Sequence, residues 1–134
     1  MPMTHLIAAA ALLFALAAPV TAHALCVSRP SMTGDWNAND GGKYLVRQRG
    51  KKVWWVGVSG DNGKSFINVF KGERNKTIVT GEWSDLVGTG GGTLTLKVND
   101  DVRAGGWEKT NGTGSFFGGS RWSFPCEDVI LNPG

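Results

Sequence analysis

The sequence predicts an all-β domain, an antiparallel up-and-down (meander) barrel of about eight strands. Three observations carry that expectation. Residues 43–70, KYLVRQRGKKVWWVGVSGDNGKSFINVF, alternate apolar and polar side chains three times and are broken twice by glycine-containing turns, the pattern of a β-meander. Elsewhere no helical periodicity of useful length occurs, and the connections are short enough to make consecutive strands antiparallel neighbours. Consecutive strands with one apolar face close economically into a barrel, because closure removes exposed edges without long crossovers.

In chain order, residues 6–18 form an apolar run, followed by Pro19 and the small-x-small site Ala22-His23-Ala24. Residues 1–24 therefore read as a secretory signal peptide. The run is shorter than the roughly twenty apolar residues of a membrane span, so no transmembrane segment is expected. What remains, residues 25–134, suits a single barrel domain, secreted or periplasmic and monomeric. Cys26 and Cys126 stand near its two ends. In an exported protein they are expected to pair, closing a loop of roughly 100 residues and adding about 4 to 5 kcal/mol on the chain-entropy account; free thiols or a shared metal are the alternatives.

The first strand starts at Gly34-Asp35-Trp36, and Asn39-Asp40-Gly41-Gly42 turns the chain into the meander. Further strands are expected over residues 77–83 and 93–98, with a short one near Trp107 and a last one over residues 115–124. Period-two alternation from Tyr44 and Val46 puts Trp54, Phe66, Phe70, Ile78, Leu94 and Leu96 on the inward face, with Gln48, Asn68, Thr80 and Glu82 among them. A buried polar group without a partner costs about 1 to 3 kcal/mol. Either these four make a satisfied internal network, or they line a wet cavity with an aromatic wall, the usual form of a small-ligand site.

Both histidines, His5 and His23, lie in the signal segment. That leaves the domain without His-based acid-base catalysis or His-activated nucleophiles, and no cofactor or metal motif is evident. Paired carboxylates could still be drawn from Asp40, Glu82, Asp85 and Glu108, although turn and solvated carboxylates explain them as well. Asp35-x-Asn37-x-Asn39-Asp40 has the alternating oxygens of a calcium loop but lacks its glycine and its distal glutamate. Arg47, Arg49, Lys51 and Lys52 cluster on one hairpin beside Trp54 and Trp55, which suits a polyanion. Alternation separates Trp54 from the arginines, so acidic glycans or an envelope surface fit better than nucleic acid.

Gly34-x-Trp36 at the head of the first strand and Arg121 in the last resemble the calycin pattern of lipocalins and avidin-like barrels. The resemblance implies that Trp36 packs under the barrel floor with the Arg121 guanidinium across it. The combination NDGGxYxxRQxGxxVWW is similar to small secreted bacterial proteins, a likeness that implies compartment and no activity. The expected function is a non-enzymatic binding module holding a small polar-aromatic ligand, a sugar or metabolite, at the barrel mouth. Gln48, Asn68, Thr80 and Glu82 would supply hydrogen bonds, and Tyr44, Trp54 and Phe66 apolar walls. The rival is a protein-protein module inhibiting an exported enzyme. The chain resembles small periplasmic protease inhibitors in its signal segment, single cysteine pair and G-x-W barrel, but Cys26 would tether the N-terminal arm that such inhibitors insert. That leaves the loop over residues 99–106 as the inhibitory element.

Overall fold

The computed structural model describes residues 29–126. Eight strands, β1 (Gly34–Ala38), β2 (Lys43–Arg49), β3 (Lys52–Val58), β4 (Ile67–Asn75), β5 (Ile78–Asp85), β6 (Gly91–Val98), β7 (Trp107–Gly114) and β8 (Arg121–Ser123), form a closed barrel in chain order. Every neighbouring pair is antiparallel, including β8 with β1. One short helix, α1 (Val102–Gly105), lies in the β6–β7 connection, with the Asp101 side chain accepting from the Ala104 N–H at its start. Among the described residues no helix is long and apolar enough to cross a membrane. The expected signal segment and Cys26 lie outside the described residues.

The meander sorts the connections onto two ends. Residues 39–42, 59–66, 86–90 and 115–120 surround the mouth; residues 50–51, 76–77 and 99–106 surround the floor. The floor is plugged by the segment before β1. Met32 is fully buried, its N–H donates to Gln48 Oε1 at 3.0 Å, and its carbonyl accepts from Trp36 Nε1 at 2.8 Å. Gln48 Oε1 also accepts from Arg74 Nη1, and its amide donates to the Gly50 carbonyl. Gln48 is therefore a satisfied strut of the floor, away from the mouth where the sequence reading had placed it.

Arg121 does not cover Trp36. It is exposed on β8, where alternation sends Trp122 inward, whereas Trp36 is only 1% exposed. The cation at the floor is Arg103 of α1, whose guanidinium carbon lies 4.0 Å from the Phe124 ring centre; Phe124 in turn meets Trp36 edge-on at 5.3 Å.

The interior is filled by rings. Trp36, Trp55, Trp83, Trp107 and Trp122 are all buried, together with Tyr44, Phe70 and Phe117. Trp55 stacks on Phe70 at 4.0 Å and Trp107 on Trp122 at 4.1 Å. Register selects Trp55 rather than Trp54 for this core. The tight turn at Gly50-Lys51 pairs Arg49 with Lys52, so inward Val46 faces Trp55 and the adjacent Trp54 must point outward. The turn at Lys76-Thr77 acts likewise: Phe70 faces Trp83, which puts Val79, Gly81 and Trp83 inside and Ile78, Thr80 and Glu82 outside.

The end of the chain also departs from expectation. β7 runs for eight residues and β8 for three, because residues 115–120 form a mouth loop that tucks Phe117 into the core instead of a strand. β8 pairs with each neighbour over two residues, and Asn39 extends the seam. Its Oδ1 accepts from the Ser120 and Arg121 N–H groups and its Nδ2 donates to Ser120 Oγ.

Rings of this size need absent β-carbons. A Cβ at Gly57 would overlap the Tyr44 ring and come 2.7 Å from Asn68 Oδ1. Gly57→Ala should therefore destabilise the barrel by about 1 to 3 kcal/mol, the usual cost of overpacking. Thr80→Ala on the outer face should change stability by less than about 0.5 kcal/mol. Urea unfolding of both variants against the parent checks this; equal midpoints would show that the core can yield.

Candidate functional site

The seven residues expected to bind ligand fall into three places. Gln48 is at the floor. Tyr44, Phe66 and Asn68 are near the mouth. Trp54, Thr80 and Glu82 lie together on the outer wall, where they line an open depression of about 410 Å³ with Lys52, Lys71 and Glu73.

The mouth site is built on the row Tyr44, Gly57, Asn68 and Asp85, which face one another across β2 to β5. Gly57 leaves space for the phenol ring to lie across its strand. A hydrogen-bond chain then leads outward from the core. Trp55 Nε1 donates to Asn68 Oδ1 at 2.8 Å, Asn68 Nδ2 donates to the Tyr44 hydroxyl at 3.4 Å, and that hydroxyl donates to Asp40 Oδ2 at 2.6 Å. Asp40 Oδ1 accepts from the Gly42 N–H, the Asx-turn geometry of the β1–β2 connection. Burial, reinforced by the bond to Asp40, pushes the Tyr44 phenol far above its ordinary value. It stays a neutral donor and is unsuited to act as a base.

Above this chain is a cavity of about 110 Å³ lined by Asp40, Phe66, Asn68, Trp83, Asp85, Phe116, Phe117 and Gly118. Asp85 Oδ1 accepts from the Ile67 and Val87 N–H groups, which fixes the carboxylate at the rim. Asn68 uses one donor and one acceptor in the chain, and an amide has two of each. The cavity thus offers carboxylate and amide oxygens beside aromatic rings. Outside it, Leu86, Val87 and Phe116 are 65%, 50% and 90% exposed, an apolar rim on two adjoining mouth loops.

Sequence reasoning named Asp40 and Asp85 among possible paired carboxylates but did not join them to Trp83, Phe116 and Phe117, since that approach depends on loop folding and on the register of β5. The calcium-like spacing from Asp35 to Asn39 is not a loop: residues 34–38 are strand, Asn39 serves the β8 seam, and Asp40 serves Tyr44. Among the described residues no group of three or more metal-ligating side chains occurs. The loop over residues 99–106 is turned into the floor, with Val102 fully buried and Asn99 Nδ2 donating to the Gly105 and Gly106 carbonyls. Comparison with protein-family models, curated proteins and solved structures finds no match for this chain, and the site is read from its geometry alone.

The β3–β4 mouth loop is held by Asp61. Its carboxylate accepts from the Ser59 and Ser65 hydroxyls and from the Ser65 N–H. These bonds, Ser59 first, lower its pKa from an ordinary 3.8 to about 2. A depressed carboxylate contributes order that is present above its unfolded value and lost as pH falls through its folded one. The Ser65 and Phe66 amide resonances should accordingly titrate with a midpoint near pH 2, and Asp61→Asn should abolish that transition. A midpoint at the ordinary carboxylate value would show that the loop does not depend on these bonds.

Proposed function

We propose that the protein is an exported, non-enzymatic, monomeric binding module of calycin type that recognises its ligand at the barrel mouth. The observation that carries this reading is the cavity of about 110 Å³, with Asp40, Asp85 and Asn68 set against Phe66, Trp83, Phe116 and Phe117 over a ring-filled interior. Whole small-molecule ligands usually occupy about 300 Å³ or more. The mouth therefore receives one end group of a ligand and leaves the remainder outside. Lys109 Nζ already lies 5.7 and 5.8 Å from the Phe116 and Phe117 ring centres, so a cationic or donor-rich end is favoured on the side of Phe66 and Trp83, where Asp40 and Asp85 supply charge attraction. An amino sugar or another amine-bearing metabolite has that chemistry. Support for a non-enzymatic role comes from the lack of histidine after residue 23 and from the suppressed acidity of Tyr44. The Cys26–Cys126 bridge belongs to the same proposal: Cys126 lies three residues beyond the end of the closing strand, and no free cysteine occurs among the described residues.

The exposed rim of Leu86, Val87 and Phe116 favours a second reading, in which the occupant is a lysine side chain of a partner protein whose apolar surface covers that rim. An inhibitor of an exported enzyme would act in this way, from the mouth and not from the floor loop.

Glucosamine should shift tryptophan emission and raise the melting temperature, and N-acetylglucosamine should not. Asp85→Asn should weaken the response about tenfold or more, since a charge-assisted contact is lost. Response only to a lysine-bearing peptide, removed by Phe116→Ser, would select the protein-docking reading. Silence toward every amine would sink both.

A further inference from the structure

Five of the six tryptophans are at most 6% exposed and belong to the core; Trp54 does not. It stands on the outer wall in a row that runs Arg47, Trp54, Lys71, Glu82 across β2 to β5. The next outward row is Arg49, Lys52, Glu73, Thr80. Alternation of inward and outward residues makes these two rows one continuous surface on the lower half of the barrel, away from the mouth. The register thus reunites Trp54 with the arginines from which simple alternation along the sequence had separated it. We infer that this wall is a second binding site, for an oligosaccharide carrying carboxylate groups laid across Trp54.

Shape, ring and charge each point to that ligand. The depression of about 410 Å³ is lined by Lys52, Trp54, Lys71, Glu73, Thr80 and Glu82, with the paired backbones of Gly72 and Gly81 beneath. Its size suits a sugar unit, unlike the mouth cavity. A pyranose presents an apolar C–H face and a rim of hydroxyls. The Trp54 indole lining the depression takes the first, while Thr80, Glu73 and Glu82 take the second. Cross-strand pairing puts Lys52 opposite Glu73 and Lys71 opposite Glu82, so the wall carries cationic donors and carboxylate acceptors side by side on one face. Arg47, Arg49, Lys51, Lys52 and Lys71 outnumber the two glutamates, which complements the carboxylates of a uronate chain. Single-stranded nucleic acid would also stack on Trp54, but a uronate chain brings more hydroxyl donors per anionic group to Glu73, Glu82 and Thr80.

The test is calorimetric titration of the full exported chain with trigalacturonate, maltotriose and an oligothymidylate of similar length. Trigalacturonate should bind, and more weakly as sodium chloride is raised. Trp54→Ala should weaken binding about tenfold or more, as expected for an aromatic anchor, and Trp54→Phe should restore part of it. Lys71→Gln should cost about threefold, the scale of one exposed charge contact. Asp85→Asn at the mouth should leave trigalacturonate binding unchanged, which separates this site from the mouth reading. Circular dichroism keeps loss of folding distinct from loss of contact, since Trp54 lies outside the core. Absence of trigalacturonate binding, indifference to Trp54→Ala, equal affinity for maltotriose, or tighter binding of the oligothymidylate would each overturn the inference.

Discussion

Filling one small barrel with five indoles is the constraint on which the rest of this structure depends. Several of the packed rings need depth that a β-carbon on a neighbouring residue would take away. Gly72 and Gly81, paired across β4 and β5, both lie against Phe70, and a Cβ on either would come 2.6 Å from its ring. Gly57 gives the same clearance to Tyr44, and Gly119, where a Cβ would come 2.9 Å from the ring, gives it to Trp122. Glycine weakens a strand through backbone entropy, by about 0.5 to 1 kcal/mol relative to alanine. Burying a large side chain returns about 1.5 to 3 kcal/mol, so the exchange favours the ring. The same exchange gives the interior over to rings. Trp55, Asn68, Tyr44 and Asp40 satisfy one another along one hydrogen-bond chain, whereas the indole N–H groups of Trp83, Trp107 and Trp122 are buried without a hydrogen-bond partner among the described residues.

The two ends of the barrel solve different problems. At the floor the preceding segment folds back, Met32 seals the core, and Gln48 and Arg74 hold that segment by its backbone, with Arg74 Nη1 donating to the Pro30 carbonyl. Burial lowers the pKa of the Arg74 guanidinium. α1 finishes the seal with Val102 inside and Arg103 over Phe124. The mouth is arranged differently. Four connections surround it; Phe117 and Phe66 pack against the core from them, while Phe116, Leu86 and Val87 stay exposed. Chemistry therefore accumulates where the rings stop, at Asp40, Asp85 and Phe116. Closure of the barrel itself falls to a three-residue strand, and the Asn39 side chain supplies hydrogen bonds that a longer β8 would have made with its backbone.

Architecture was legible in the sequence because it depends on period two and on glycine-containing turns, both of which survive small errors of position. The candidate sites were less legible because they depend on register. Trp54-Trp55 and Ile78-Val79 each offer two adjacent apolar residues, and alternation alone cannot choose between them. The choice is made by the tight turns at Gly50-Lys51 and Lys76-Thr77, which tie each strand to the inward set of its predecessor. A slip of one residue moves every side chain across the sheet. Trp54 on β3 and Thr80 and Glu82 on β5 therefore shift together to the outside, and they remain neighbours there because β4 ties the two strands in register. The 115–120 segment was misread for another reason. Its aromatic residues resemble a strand, but Gly118 and Gly119 let Phe117 turn inward while Phe116 stays in solvent.

Net charge conceals how the two surfaces differ. The formal +3 of the chain suggests a uniformly basic partner surface, yet the mouth presents Asp40 and Asp85 while the lower wall presents Arg47, Arg49, Lys52 and Lys71. In a closed barrel these features arise from independent parts of the sequence, one from loop residues and one from alternate strand residues. Neither can spread into the other, because the inward residues between them are committed to ring packing. On the two proposals made above, the mouth attracts a cationic end group and the wall an anionic chain, so one ligand cannot satisfy both surfaces. Occupation of the wall leaves the four mouth connections uncovered. A module held to an acidic glycan by its side would thus still present its apolar rim and carboxylates outward, and the barrel's rigidity would fix the angle between them.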